Sequence, residues 1–455
     1  MKKDKLRKKI SALLAEERYE AEVSQKELAQ RLGTQKSNIS RIEQGRQNIS
    51  VDYVQAIADA LNLSVSFVIS DSISQYGDTG VYILKLYDED LIKFRLTRGT
   101  ALACELLWVK EDRKHVFPLD LQVTGQGMIE WLKARIIPPN RELVGSILNS
   151  LGLNINDVKG IVDVCMGLSL NDSYWITRED FAGTFGEYNL YENRFTEALS
   201  LIAYTGGRYS TRGFRTSPEL TTGGMLRKAW RFLDEDGIWL YKSGTDGFAN
   251  TGNEPYCEFY ACQVAEAMGL SHVDYTLENW HHILASKCRL FTDIDTSFVP
   301  IGRILKDGGI DACLNFYREL GENFYEDLVS MIAFDAVIIN EDRHFGNFGL
   351  LRDNHTGEFV GTAPIFDNGL SLLCYGMKSD FERLDDYIAG RTNPYGTGND
   401  YISLCSRIIG AKQKRQLRRL LNFSFQESDV QNLPTWRLRA LERMIRKRAK
   451  TLLSH

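Results

Sequence analysis

At 455 residues, 43% hydrophobic and 25% charged, the chain is neither disordered nor fibrous and is long enough for two or three domains. No apolar run reaches bilayer length, and the basic start Met1–Ile10 lacks the apolar core of a signal peptide, so a cytoplasmic protein with no membrane partner is expected. The net charge of −5 is uneven: residues 1–66 carry 12 Lys/Arg against 9 Asp/Glu and the rest 43 against 51, so a polyanionic partner suits the front better than the bulk.

The front reads as a bundle of short helices. Leu6, Ile10, Leu13 and Leu14 recur at helical spacing. Ser24 caps a second helix to Leu32, with Glu27 completing a capping box, and Gly33 ends it. Thr34 caps a third, Gln35–Gln44, and Ser50 a fourth, Val51–Asn62. Two short helices joined at a Gly, with small Ala29 where they cross, make a helix-turn-helix whose third helix would enter the major groove. Its outward residues Lys36, Ser37, Asn38, Ser40 and Arg41 can all donate to bases or phosphates, and Gln25 is placed to hold a phosphate. The wording Ser-Gln-x-Glu-Leu-Ala-x-Arg-Leu-Gly, then Ile-Ser-Arg-Ile-Glu-x-Gly, resembles the phage-repressor (Xre-type) helix-turn-helix over Ser24–Leu63. By that resemblance Lys36, Ser37 and Arg41 read bases, Gln25 contacts a phosphate, and the partner is a palindromic DNA operator bound by a homodimer.

Residues 66–76 look like a linker. Paired β runs follow: Val81–Tyr87 with Leu91–Leu96, then Cys104–Lys110 with His115–Phe117, closed by a helix at Val144–Leu151. This small α+β module, residues 77–165, shows no chemistry and reads as packing or cover. From Gly167 onward the aromatics Phe181, Phe185, Tyr188, Tyr191 and Phe195 read as core. The eight cysteines form no Cys-x-x-Cys pair and the seven histidines no His-x-x-x-His pair, so reduced thiols and no zinc site are expected.

The chemistry lies later. Asp342 and Asp367 end two short segments, Asn347 follows the first acid, and strands Phe348–Arg352 and Glu358–Phe366 around Asp353–Gly357 form a hairpin that returns the second acid toward the first. Acid, Asn, hairpin, acid is the order used in kinase-type phosphoryl transfer: the first acid orients a hydroxyl, and the Asn and second acid hold Mg²⁺ against ATP. Such a site also needs a phosphate cover, a Lys and a partner for it. Thr221–Met225 with Lys228 is the only candidate cover, bringing Thr222, Gly223 and Gly224. Ile238–Ser243 is a strand that turns Lys242 inward, where desolvation demands a partner. The helix Glu254–Met268 offers Glu254, Glu258 and Glu266, of which Glu258 best faces the core. Ser286–Ile301 would join two lobes, and the apolar Met331–Ile339 would deliver Asn340 and Asp342 to the cleft.

Asn340-x-Asp-x-His-x-x-Asn347 and Phe366-Asp-Asn-Gly-Leu-Ser371 resemble the catalytic loop and metal-binding motif of HipA-like toxin kinases, bacterial serine/threonine protein kinases, and the likeness runs from about Gly167 to Leu372. The resemblance implies an α+β, two-lobed kinase-like fold behind an all-α helix-turn-helix bundle: residues 1–68, a module 77–165, an N-lobe 166–300 and a helical C-lobe 301–455. It implies Asp342 as catalytic base, Asn347 and Asp367 as Mg²⁺ ligands, Lys242 as the ATP-phosphate Lys with Glu258, and autophosphorylation at Thr221 or Thr222. The partner would be a protein bearing Ser or Thr, and a toxin–antitoxin-type autoregulator would result. The phosphate loop departs from the family pattern, as does Phe291–Ser297. His344 is expected to hold loop geometry rather than move protons. In a different class, the region would only sense nucleotide for a transcriptional regulator; a small-molecule kinase is a third reading. Two basic amphipathic helices, 406–423 and 435–453, close the chain, as a solvated face or a nucleic-acid contact.

Overall fold

The computed structural model describes residues 10–61, apart from 12–13, 16–17, 20 and 22, and residues 79–454, apart from 212–213, 215, 234–235, 248–249, 392 and 396–399. Leu6, Leu13, Asn62 and the expected linker 66–76 lie outside the described residues. The chain divides into two compact units, Met1–Ile69 and Ser70–His455.

In the first unit, α1 (Gln25–Arg31) and α2 (Lys36–Glu43) form the expected pair, followed by α3 (Val51–Ala60). Their apolar stripes, Leu28 and Ala29, Ile39 and Ile42, and Val54 and Ile57, bury one core together with Leu14. The caps differ from expectation in two details. Ser24 Oγ accepts from Glu27 N at 3.1 Å, but Glu27 gives its carboxylate to Arg31 at 2.7 Å, so the reciprocal half of the capping box is absent. Thr34 does not cap α2; it accepts from Asn38 Nδ2 at 3.0 Å, and Gln35 stands at the N-cap without a side-chain bond. Gly33 has φ +62°, and a Cβ there would meet nothing within 4 Å. Gly33→Ala therefore costs only left-handed backbone strain, roughly 1–2 kcal/mol, and should lower the melting of this unit, as read by amide exchange of α1 and α2, without altering the second unit.

The second unit is α+β with antiparallel sheets. Strands β1 (Thr79–Leu86), β2 (Glu89–Arg98), β3 (Leu102–Val109) and β4 (Tyr174–Arg178) form a sheet in the order β3-β2-β1-β4. No strand forms at His115–Phe117: His115 and Val116 end a 3₁₀ turn, Glu111–Val116, and Phe117 follows it. The carbonyl of Phe117 accepts from Arg352 at 2.9 Å and that of His115 also faces Arg352, so these groups serve a guanidinium and not a ladder. Helices α4 (Gly125–Arg135), α5 (Val144–Ser150) and α6 (Val158–Cys165) cover this sheet. Because β4 pairs with β1, the sheet takes a strand from beyond residue 165, where the module was expected to end. Of the aromatics expected in the core, Phe185 and Phe195 are buried in one cluster with Trp175, while Phe181, Tyr188 and Tyr191 pack against it partly buried.

A second sheet, in the order β5-β6-β8-β7, comprises β5 (Lys228–Phe232), β6 (Ile238–Ser243), β7 (Tyr275–Trp280) and β8 (Ile283–Arg289). Helix α7 (Glu197–Thr205) packs on β5, and α8 (Glu254–Met268) on β7 and β8. Ser286–Ile301, expected to join two lobes, runs from the end of β8, where Ser286 lies opposite Lys242, into a further strand, β9 (Thr296–Pro300), of another sheet. β10 (Gly349–Asp353) lies between β9 and β11 (Phe359–Thr362), which gives the expected hairpin a third strand. The remainder is helical. α9 (Gly309–Leu320) and α10 (Glu322–Ile338) pack together, and every residue of α10 from Leu328 to Ile338 is buried. The first basic tail helix is broken at Ile409–Gly410 into α11 (Tyr401–Ile408) and α12 (Ala411–Arg418); α13 (Thr435–Ser454) is continuous. No helix among the described residues is long and apolar enough to cross a membrane.

Candidate active site

The site begins with a polar residue in an apolar helix. Asp335, fully buried on α10, would be costly unless paired. Arg343 meets it with Nε to Oδ2 at 3.0 Å, and Asn340 Nδ2 donates to Asp335 Oδ1 at 3.2 Å. The same guanidinium donates to the carbonyls of Asn347, at 3.1 Å, and Phe366, and to Asn368 Oδ1. One fully buried Arg thus fastens the backbone after Asp342 to the backbone flanking Asp367. Helix α10 ends at Ile339, with φ +54°, and the turn is held by Asp342 N to Asn340 Oδ1 at 3.1 Å and Asn347 Nδ2 to Asp342 O at 3.2 Å. Two backbone bonds stitch the segments again: Glu341 N to Leu370 O at 3.0 Å and Leu372 N to Ile338 O at 2.7 Å.

The second sheet supplies the cations. Lys242, 8% exposed on β6, donates through Nζ to both Glu258 and Asp367. Glu258 then accepts from Asn368 N at 2.7 Å, and Asp367 N donates to Tyr275 Oη at 3.3 Å. Asp367 has φ +58°, a left-handed conformation that side chains rarely adopt and that this closed set of bonds enforces. Lys228 lies directly across the ladder from Lys242, its ammonium against Gly224, where a Cβ would fall 2.2 Å from Nζ. No side chain among the described residues pairs with Lys228.

The charges fit this geometry. Burial opposes ionisation of Asp367, yet Lys242 and then Lys228 hold its carboxyl well below the usual range. Burial, and then the neighbouring Lys242 charge, bring Lys228 down to about 8. Burial pushes Glu258 up against the pull of Lys242. Half-buried Asp342 is raised by desolvation, with His344 opposing and Asp367 adding to the rise. The arrangement offers at Asp342 a carboxylate with no direct ion pair among the described residues, a side-chain amide oxygen on Asn347, and an ionised Asp367 facing two ammonium groups.

Lys242, Glu258, Asp367, Asn347 and Asp342 thus come together around Arg343. His344 Nδ1 accepts from Gly346 N at 3.0 Å, holding the loop as expected. The Thr221 hydroxyl donates to Leu168 O at 2.7 Å and the Thr222 hydroxyl to Pro218 O at 2.6 Å, while Thr222 also accepts from Trp230 Nε1 at 3.0 Å. Both hydroxyl protons are thus committed to main-chain carbonyls. Glu254, the rejected alternative, accepts from Thr245 N at 3.2 Å and Tyr375 Oη at 3.0 Å. Sequence reasoning missed Arg343, Asp335, Tyr275 and Asn368. An Asp inside Met331–Ile339, eight residues before an Arg, was the signal for the first two. On the first unit, Lys36, Ser37 and Arg41 are exposed on α2. Asn38 turns inward to Thr34, and Gln25 Nε2 donates to Glu43 at 2.8 Å, a bond it must exchange to reach a phosphate.

Comparison with known proteins gives three findings. Residues 14–68 match the helix-turn-helix family, so the first unit is a helix-turn-helix domain. A stretch of 154 residues is 29% identical to the serine/threonine-protein kinase CtkA of Helicobacter pylori, covering 29% of this chain and 47% of that protein. The chain therefore spans about half the length of this curated relative. Among solved structures, the H. pylori proinflammatory kinase CtkA aligns with TM-score 0.39 at 17% identity, over 52% of this chain and 94% of the other. A Shewanella oneidensis HipA, HipB and operator DNA complex aligns with TM-score 0.46 at 13% identity, over 81% and 96%.

Proposed function

We propose that this chain is a HipA-like serine/threonine protein kinase joined to a helix-turn-helix DNA-binding domain, transferring the γ-phosphate of ATP to a protein hydroxyl. The observation that carries the reading is Lys242, bonded to Glu258 on a helix and to Asp367 at a strained turn, with Arg343 binding that turn to the Asn347 loop. The partial identity to a named serine/threonine kinase supports it.

The residues fit a nucleotide and Mg²⁺. Magnesium is usually held by one or two carboxylates together with substrate phosphates, and Asp367 with Asn347 supplies that set. Gly224 leaves beside Lys228 the room that a Cβ would fill, so backbone and ammonium can approach a phosphate together. When bound, the metal would neutralise charge on the phosphates. The chain's own residues do the rest: Lys242, oriented by Glu258, and Lys228 bind phosphate oxygens, and Asp342 orients the attacking hydroxyl and accepts its proton.

We read Lys36, Ser37 and Arg41 as the base-facing residues, Gln25 as a phosphate contact, and a homodimer on a palindromic operator as the DNA-bound form. The reaction test is incubation of the purified chain with Mg-ATP, with label expected on Ser or Thr of the chain or of a lysate protein. A Lys36→Ala/Arg41→Ala variant should lose selective operator binding by about tenfold or more per base contact removed while keeping the labelling rate. Loss of both activities together would contradict two separable modules.

A further inference from the structure

Charge is concentrated at the end of the chain. Residues 401–455 carry 13 Lys/Arg against 3 Asp/Glu, a net +10, whereas residues 1–400 carry 42 against 57, a net −15. Several of these cations have duties inside the fold. Arg437 donates to the carbonyls of Leu373 and Gly376 at 2.7 and 3.0 Å, Arg446 to Phe423 O at 2.7 Å, and Lys412 pairs with Glu326 and Asp327. Lys447 pairs with Asp385.

Arg439, Arg443 and Lys450 have no such duty. All three are exposed on α13, and none has a partner among the described residues. Their spacing of four and then seven residues puts them on one stripe, about 16 Å long at the helical rise. The opposite stripe, Leu438, Leu441, Ile445 and Leu452, is buried, so the orientation of the helix is fixed. The only acid on α13, Glu442, turns aside to Phe425 N at 2.9 Å and to Arg446. A merely solvated face would intersperse both signs, because like charges a turn apart destabilise a helix. Helix α12, packed against α13, adds exposed Arg415 and Arg418, which also lack partners among the described residues.

We propose that this face of α13 is a second, sequence-independent surface for the phosphodiester backbone of duplex DNA. Uniform positive sign without compensating acids is what phosphate neutralisation requires, and a straight stripe of guanidinium and ammonium groups can follow one strand of a duplex. The choice of DNA over RNA rests on the proposed DNA-binding reading of this chain, since both share the phosphodiester chemistry.

The test uses the full chain and a short random-sequence DNA duplex, titrated between about 50 and 200 mM salt. Arg439→Gln/Arg443→Gln/Lys450→Gln should reduce the slope of log K against log salt by about 2–3 and weaken binding at least tenfold. Self-labelling with Mg-ATP, to which these residues do not contribute, should be unchanged, which shows that the variant folds. An unchanged slope overturns the surface, and a loss seen only with the matching RNA duplex overturns DNA as its partner. The same triple change in the Lys36→Ala/Arg41→Ala background separates the two surfaces. If the triple change lowers the slope there but the α2 changes do nothing, it is the reading of α2 that fails.

Discussion

Asp342→Asn is expected to lower phosphoryl transfer by roughly 10²–10⁴-fold, the usual contribution of a positioned general base, while ATP binding, carried by Lys242 and Lys228, stays within a few-fold of wild type. The amide keeps the shape of the side chain, and the loop is held through main-chain groups: Asp342 N on Asn340 Oδ1 and Asp342 O on Asn347 Nδ2. Folding therefore should not suffer. Desolvation raises the Asp342 pKa on folding, so above that pKa its ionised form costs the folded state some stability. The amide removes that cost, and the Asp342→Asn variant should melt at the same temperature as wild type or slightly higher. The same shift sets the pH profile. A base must be ionised, so wild-type transfer should fall on the acid side at a pH above the ordinary Asp value of about 3.9, and the residual activity of Asp342→Asn should lack that limb. Equal rates in the two proteins would remove the enzyme reading and leave a nucleotide-sensing regulator.

The site was legible where its chemistry depends on residue type and chain order. Lys242, Glu258, Asn347 and the two acids stand out because an inward Lys needs a partner and a hairpin returns Asp367, and both follow from local pattern. The phosphate cover was less legible. Whether Thr221 and Thr222 present their hydroxyls is decided by the carbonyls of Leu168 and Pro218, and Leu168 is remote in sequence. The same holds for the 3₁₀ turn at Glu111–Val116, whose flanking carbonyls answer to Arg352 from far along the chain. β4 likewise joins a sheet begun nearly ninety residues earlier, as the pairing of Leu86 with Tyr174 indicates, so a boundary drawn from composition could not follow it. In the first unit the helices follow from apolar spacing and end signals a few residues long, and all three described helices fall within two residues of expectation.

Arg343 makes the sharpest test of how the site is held. Arg343→Met should destabilise the second unit by about 3–5 kcal/mol, because it leaves Asp335 as an uncompensated charge in the core. Both side chains are fully buried, so solvent cannot take over the role of the lost partner. Tyr395 and Asn340 also reach Asp335, but neither brings a positive charge. The loss should shrink in the Asp335→Asn/Arg343→Met double variant, giving a coupling of about 0.5–3 kcal/mol in a double-mutant cycle by urea unfolding. Activity should not recover with stability. The guanidinium also holds the carbonyls of Asn347 and Phe366 and the side chain of Asn368, and neither Met nor Asn restores those bonds. A double variant that regained both stability and phosphoryl transfer would mean that the Asn347 and Asp367 segments keep their places without Arg343. Lys242, Glu258 and the backbone bonds between the segments would then have to position the site on their own.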